Sequence, residues 1–211
     1  MIRAVAWFCA DHYGLYAPQR MSFARPAPKP DELLTIIGRP VKYFSRMTAE
    51  TKASLCAASL ALRDFAPDVS QLPEVGMLAA GDEGCISANQ NYFRDYVSGG
   101  RSMGRGNLFI YTLPTSTLGE MAIALSLNGP TMYVHADQAP LATLMHQSRQ
   151  LVADREADAI LALWSGATAS VCMVVQRELP GSPSITLPPD ASPLELANAF
   201  HSRVTCKATA E

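Results

Sequence analysis

The sequence has few charged residues and almost no charge imbalance. Its 211 residues include 17 Lys and Arg against 19 Asp and Glu, which gives a formal net charge of -2. Proteins that bind nucleic acid or an anionic membrane surface present a basic patch that attracts phosphate groups. The composition excludes a strongly basic chain of that kind, and no nucleic-acid partner is expected.

The sequence also lacks a long apolar run and a secretory leader. No uninterrupted apolar segment approaches the roughly 18 residues that indicate a transmembrane helix. The N-terminal segment MIRAVAWFCA is apolar with one arginine. It has neither the basic start, the long apolar centre nor the small-residue cleavage site of a signal peptide. We therefore predict a cytoplasmic protein without a membrane span.

Paired cysteines and clustered metal ligands are missing as well. The five cysteines are scattered and form no Cys-x-x-Cys pair, so neither a disulfide framework nor a zinc site is expected. Cysteines in apolar segments usually pack as small hydrophobic side chains. The histidines are isolated from one another in the sequence: His12, His135, His146 and His201. We predict no metal site and no cofactor.

Hydrophobic residues, in contrast, are plentiful. They make up 48% of the chain, enough to build the core of one domain spanning residues 1–211. Apolar strand patterns alternate with amphipathic helix patterns, which predicts an α/β fold with a mixed five-stranded sheet flanked by helices. The predicted strands are 2–9, 75–80, 131–136, 159–164 and 170–175, and the predicted helices are 48–65, 86–97, 117–128, 139–153 and 193–200.

Several boundaries can be predicted from local signals. Thr48 can cap the helix that follows it, and Thr117 with Glu120 has the spacing of a capping box. Residues 108–111 fit either a strand or an extended approach to Pro114. The proline-rich stretch 18–30 is interpreted as an irregular loop.

The central segment, residues 124–139, carries the most specific pattern. It reads ALSLNGPTMYVHADQA, which indicates a helix that stops at Gly129-Pro130, a short strand, and a sharp turn into another helix. This segment resembles the β-ketoacyl synthases (condensing enzymes), whose nucleophilic cysteine follows such a proline by eight residues. Here that position, eight residues after Pro130, is Gln138. The string ADQA is similar to the corresponding segment of the chain length factors of aromatic polyketide synthases. In those proteins, glutamine replaces the cysteine.

The resemblance implies the N-terminal half of a thiolase-like (ketosynthase) fold. It covers residues 48–175 and is weaker before residue 48. In the family, a second half of similar length carries two histidines in motifs of the kind His-Gly-Thr-Gly-Thr and Asn-x-x-Gly-His. Neither motif occurs in this sequence, and the C-terminal half of the fold is expected to be absent. The resemblance therefore implies a subunit with no catalytic residues and no condensing activity of its own.

Gln138 has two interpretations. In active relatives, the cysteine lies at a helix N-terminus, where peptide dipoles favour the thiolate. The carboxamide of Gln138 is not a useful nucleophile and can only form hydrogen bonds. Either it binds an acyl or malonyl carbonyl group, or it fills the vacated pocket while Asp137 caps the next helix.

Aromatic residues on the predicted helix 86–97 are candidates for an acyl pocket. Tyr92 and Tyr96 are four residues apart and so share one helix face, with Phe93 adjacent. The resemblance implies that bulky residues of this helix close the acyl tunnel across a dimer interface. Tyr92, Phe93 and Tyr96, together with Met132, would then limit the length of the acyl chain. Core packing is the alternative role.

The predicted strand 131–136 corresponds to the dimer strand of the family. Its β-branched and aromatic composition suits pairing with a second subunit, which would cover an exposed edge. The dimer-strand residues are Thr131, Met132, Tyr133, Val134 and His135. The implied partner is a full-length ketosynthase, with an acyl carrier protein engaged indirectly, and a homodimer is the alternative.

Three functional hypotheses follow. The first is a non-catalytic subunit, similar to a chain length factor, that pairs with a ketosynthase in polyketide, aryl-polyene or specialised fatty-acid biosynthesis. The second is a malonyl-thioester decarboxylase that uses Gln138 for priming, although the usual histidine donors for the enolate are missing. The third is an unrelated small α/β protein with a large acyl- or ligand-binding pocket.

Overall fold

The computed structural model describes residues 1–18, 22–65, 74–82, 84–136, 139–177, 184–188 and 191–208. In these ranges, one 7-stranded sheet has the order β3-β2-β1-β7-β6-β4-β5. Its strands are β1 (Ile2–Cys9), β2 (His12–Tyr16), β3 (Phe23–Pro26), β4 (Val75–Gly81), β5 (Thr131–Tyr133), β6 (Ala159–Ser165) and β7 (Ala169–Gln176). β4 is parallel to β5 and β6, and the other neighbouring strands are antiparallel. The predicted mixed α/β class is confirmed.

The predicted count of five strands is wrong, because β2 and β3 extend the sheet beyond β1. Gly14 interrupts the apolar pattern of β2, and prolines surround β3, so neither strand has a clear sequence signal. Glycine is required at position 14 because a Cβ atom would collide with the Trp7 ring and the Phe23 carbonyl oxygen. Pro26 is the last residue of an edge strand, where proline is tolerated.

Helices cover both faces of this sheet. They are α1 (Leu33–Ile37), α2 (Ala49–Phe65), α3 (Ile86–Ser98), α4 (Gly106–Phe109), α5 (Pro114–Leu125), α6 (Pro140–Ala153) and α7 (Pro193–Ala208), with 3-10 turns at Pro30–Glu32, Phe44–Arg46 and Ile110–Thr112. The predicted cap of α2 is confirmed, since Thr48 Oγ1 accepts a hydrogen bond from the Thr51 backbone N–H at 3.1 Å. Ser192 and Glu195 cap α7 reciprocally, with N···O distances of 2.9 and 3.3 Å.

Five local predictions need correction. Residues 23–26 of the proline-rich stretch 18–30, which was expected to be an irregular loop, form β3. Residues 108–111 lie in α4 and the following 3-10 turn and do not form a strand. α5 begins at Pro114, because proline suits the first helical position, where no N–H partner is needed; Thr117 is therefore inside the helix. α7 continues past residue 200 to Ala208. β5 ends at Tyr133, since β4 pairs with it only from Met77 to Ala79.

Two cores lie on opposite faces of the sheet. α1, α2 and α5 cover one face, and α6 and α7 cover the other. The side chains of β1 alternate between them, with Ala4 and Ala6 in the first core and Val5 and Trp7 in the second. α7 contacts β1, β2, β3 and β7, so it lies towards the end of the sheet opposite to β5. The two sheet ends are therefore covered differently.

Among the described residues, no single helix is long and apolar enough to cross a membrane. One pair, Gly106–Thr112 with Pro114–Leu125, reaches the required length and composition only together and is bent by 101° at the break.

Candidate interface and cavity

Strand β5 leaves one edge of the sheet uncovered. β4 is its strand neighbour, and the opposite edge of β5 has no strand partner among the described residues. Thr131 and Met132 are exposed, and Tyr133 is half-buried. The next residue, Val134, donates its backbone N–H to the Ala79 carbonyl oxygen at 2.8 Å. An edge of this kind presents backbone donors and acceptors to another chain.

Most of the exposed large hydrophobic residues lie on the elements next to this edge. α5 contacts β5 and the 3-10 turn Ile110–Thr112, and that turn contacts α3 and α4. We call these residues the α3–β5 surface: Ile86, Phe93, Val97, Met103, Phe109, Ile110, Leu113, Ile123 and Met132. Met103 is 82% exposed and Ile123 is 79% exposed. A concentration of exposed apolar side chains indicates a binding surface, whereas single exposed residues are ordinary.

The aromatic residues of α3 divide into two groups. The rings of Tyr92 and Tyr96 stack with centroids 6.4 Å apart, and Tyr92 also meets Phe109 edge-on at 5.6 Å. Phe93 is 64% exposed and belongs to the α3–β5 surface with Met132, which is 39% exposed. Tyr92, with Tyr96 stacked beside it, therefore packs α3 against α4. The Phe93 side chain is directed towards solvent.

A cavity of about 40 Å³ lies at the carboxyl ends of β4 and β6, beside Tyr133. Its lining also includes Thr48 and Glu50 at the start of α2, Cys85 before α3, and Tyr111. Pockets that hold drug-sized ligands typically measure about 300–1,000 Å³. This cavity accommodates water-sized groups and is too small for an acyl chain.

Hydrogen bonds occupy the polar groups of Tyr111 and Cys85. The Tyr111 hydroxyl donates to Glu120 Oε1 at 3.0 Å. Cys85 Sγ donates to the Thr112 carbonyl oxygen at 2.7 Å and accepts from Asn89 Nδ2 at 3.2 Å. Each of these side chains is held by its neighbours in one orientation.

Both cavity tyrosines are neutral near pH 7. Burial is the largest cause that raises the pKa of Tyr111, followed by the hydrogen bond and charge of Glu120. Burial also raises the pKa of Tyr133, with smaller contributions from Cys85 and Asp82. Because an ordinary tyrosine already has a pKa of about 10, neither phenol can act as a base here.

The predicted nucleophile position cannot be placed against this cavity, because Gln138 and Asp137 lie outside the described residues. His135 and His146 are exposed, and no described histidine lines the cavity. Within the described ranges, no group of three or more His, Cys, Asp or Glu side chains is positioned to hold a metal ion.

Sequence reasoning did not identify Cys85, Tyr111 or Glu120 as neighbours. The hydrogen bond from Tyr111 to Glu120 depends on the 3-10 turn at Ile110–Thr112, which was not predicted. No motif spacing links either residue to Cys85. The exposure of Phe93 also had no sequence signal, because an apolar residue on an amphipathic helix usually faces the core.

Comparison with known proteins finds similarity to solved structures but no match to a family model and no significant match to a curated sequence. The fold is similar to a chain of the ishigamide ketosynthase/chain length factor, with a TM-score of 0.56 and 17% identity, covering 74% of this chain and 51% of the other. It is also similar to a chain of the ketosynthase ApeO in complex with its chain length factor ApeC from Xenorhabdus doucetiae, with a TM-score of 0.58 and 9% identity, covering 97% of this chain and 90% of the other.

These similarities identify the fold as the thiolase-like fold of ketosynthase and chain length factor structures. The chain spans about half of the first of these relatives and most of the second. The predicted fold class is confirmed, with seven described strands in place of five.

Proposed function

We propose that this chain is a non-catalytic, ketosynthase-like subunit that pairs with a ketosynthase, as a chain length factor does. The observation that carries the proposal is the uncovered edge of β5 beside the α3–β5 surface. The fold similarity to chains from ketosynthase and chain length factor structures supports the class of partner. An acyl carrier protein would be engaged through that partner.

The physical chemistry of the surface favours a stable association. Protein interfaces of standard size bury about 800 Å² on each partner, and their centres are enriched in aromatic residues and methionine. The α3–β5 surface has this composition. The three residues of β5 can contribute few backbone hydrogen bonds, so apolar side chains would supply most of the free energy of association.

The proposed lack of catalysis rests on residue chemistry. Gln138 replaces the thiol that a condensing enzyme acylates, and a carboxamide forms no thioester. Among the described residues, no histidine lines the cavity, and Glu50 is the one carboxylate in its lining. The chemistry would belong to the partner, and residues 1–211 would form a single ketosynthase-like N-terminal domain. Decarboxylation of a malonyl thioester would depend on Gln138, which lies outside the described residues.

The α3 aromatic residues suggest how the subunit would influence product length. Phe93 and Met132 are exposed on the α3–β5 surface, where a partner's acyl tunnel would end. The stacked rings of Tyr92 and Tyr96 support α3 behind them. We propose that these four residues set the length of the acyl chain in polyketide, aryl-polyene or specialised fatty-acid biosynthesis.

Co-expression with a ketosynthase encoded in the same gene cluster tests the pairing. We expect a complex of equal stoichiometry by size-exclusion chromatography with light scattering, and condensing activity only when the ketosynthase is present. Met132→Asp should prevent assembly, because it places a charge in a desolvated interface. Leu194→Asp is a matched control, since Leu194 of α7 is 43% exposed and Met132 is 39% exposed.

Two results would contradict the proposal. One is a chain that remains separate from the ketosynthase at micromolar concentrations of both proteins. The other is equal loss of assembly in both aspartate variants, which would indicate a general effect of added charge.

Mass spectrometry of the products from Tyr92→Ala and Tyr96→Ala complexes tests the chain-length role, for which we expect longer products.

A further inference from the structure

A pair of histidines joins the C-terminal helix to the first β-hairpin. The ring centroids of His12 on β2 and His201 on α7 are 4.1 Å apart, with an interplanar angle of 58°. His12 is only 9% exposed. Its Nδ1 atom lies 2.7 Å from Oδ1 of Asp11, which is exposed. The two imidazoles therefore form part of the contact between α7 and the sheet.

Three ring nitrogens in this cluster are buried without a hydrogen-bond partner among the described residues. They are Nε2 of His12, Nδ1 of His201 and Nε1 of Trp7. Trp7 is fully buried and meets His201 edge-on at 6.3 Å. Buried polar atoms are normally paired, and these three ring nitrogens depart from that rule together, in one contact between α7 and the sheet. Nδ1 of His12 is directed at the Asp11 carboxylate, so Nε2 is the ring nitrogen that is buried without a described partner.

Asp11, Cys9 and Arg203 are titratable side chains on the segments that carry the pair or pack around it. α7 contributes Arg203, whose guanidinium lies 4.6 Å from the Tyr16 ring centroid. β1 contributes Cys9, for which burial, with a smaller effect of Asp11, raises the pKa to about 11, so its thiol is neutral. The core on this face of the sheet also includes Ala24 of β3, Ala169 and Val171 of β7, and Ile185 and Leu187. Asp11 is thus the one described carboxylate bonded to this pair.

We propose that His12 and His201 form a pH-sensitive latch that holds α7 on the sheet while they share at most one proton. Protonation of both rings would place two cations in contact, with Asp11 as the one described carboxylate bonded to them. Their repulsion would favour release of α7. The proposal does not depend on pairing with a ketosynthase, because α7 lies towards the opposite end of the sheet from β5.

The direction of the pH effect follows from linkage. Burial, and then the charge of His12, lower the pKa of His201 below its ordinary value of about 6.5, while Asp11 partly opposes them. A histidine with a lowered pKa binds its proton more readily when the helix is released. Docking is therefore strongest above about pH 6.5 and weakens as the pH falls below that value. A single titrating group changes the opening constant by at most about tenfold per pH unit.

Release of α7 would expose apolar surface. Phe200 stacks with Trp7 at 6.4 Å and with Tyr16 at 4.9 Å. Leu196 and Val204 are also buried against the sheet. The latch would consequently expose a second apolar face under acidic conditions, separate from the α3–β5 surface.

Hydrogen–deuterium exchange of the full chain between pH 7.5 and 5.5 tests the latch. Exchange is corrected for its intrinsic pH dependence, and the opening of α7 is compared with that of α2, which contains no histidine. We expect the relative opening of α7 to increase by up to about tenfold per pH unit below pH 6.5. The increase should be absent in His201→Gln and retained in His146→Gln, since His146 is exposed on α6.

A wild-type profile without this pH dependence overturns the latch, whatever the variants show. Unchanged dependence in a folded His201→Gln variant also overturns it. If that variant does not fold, His12→Gln provides the same comparison, and the wild-type profile remains decisive.

Discussion

Phe93→Ala distinguishes a residue that faces a partner from one that supports the core. Truncation of a fully buried phenylalanine typically costs about 3–5 kcal/mol. The Phe93 side chain is 64% exposed, so roughly a third of that cost, about 1 to 2 kcal/mol, is expected for the isolated chain. Urea denaturation measures the change in the free energy of unfolding.

The same substitution should weaken the complex with a ketosynthase. Complete burial of a phenylalanine is worth about 1.5–3 kcal/mol, and the 64% that is now exposed corresponds to about 1 to 2 kcal/mol. The expected increase in Kd is about 5- to 30-fold, measured by isothermal titration calorimetry. Leu194→Ala, on α7, should leave Kd unchanged. A loss of 3–5 kcal/mol in stability with an unchanged Kd would refute the reasoning and assign Phe93 to the core.

Three further predictions concern the isolated chain. In the native state, a thiol reagent should modify Cys206 first and Cys85 second. The other three cysteines are buried, and burial raises the pKa of Cys56 to about 12. Rapid reaction of all five thiols would contradict this prediction. Gly14→Ala should destabilise the fold by about 1 to 3 kcal/mol through overpacking, measured by thermal unfolding, whereas an unchanged Tm would contradict the close approach of the Trp7 ring and the Phe23 carbonyl oxygen to residue 14. Gln138→Cys should not create condensing activity in a thioester assay without a partner, and measurable turnover would refute the proposed lack of a complete active site.

Local sequence signals predicted the elements whose stability depends on nearby residues. The apolar runs of β6 and β7 are buried on both faces of the sheet, and continuous hydrophobic strands are typical of that environment. The cap at Thr48 acts over three residues. Both features can be read from a short segment without knowledge of the fold.

Features that depend on distant contacts were not predicted. β2 tolerates Gly14 because the Trp7 ring covers it, a contact between paired strands that no local pattern shows. The cavity combines the ends of two strands with the start of α2 and a 3-10 turn. The exposure of Phe93 reflects how α3 is oriented, and tertiary packing decides that orientation.

Site-specific photo-cross-linking tests the central claim most directly. A photoreactive amino acid is placed at Thr131 on the uncovered edge of β5, or at Leu194 on α7, and each variant is irradiated together with the ketosynthase. Pairing through β5 predicts a cross-linked heterodimer from position 131 and none from position 194. A cross-link from position 194 alone, or a ketosynthase that co-purifies but reacts with neither position, would contradict the proposed interface.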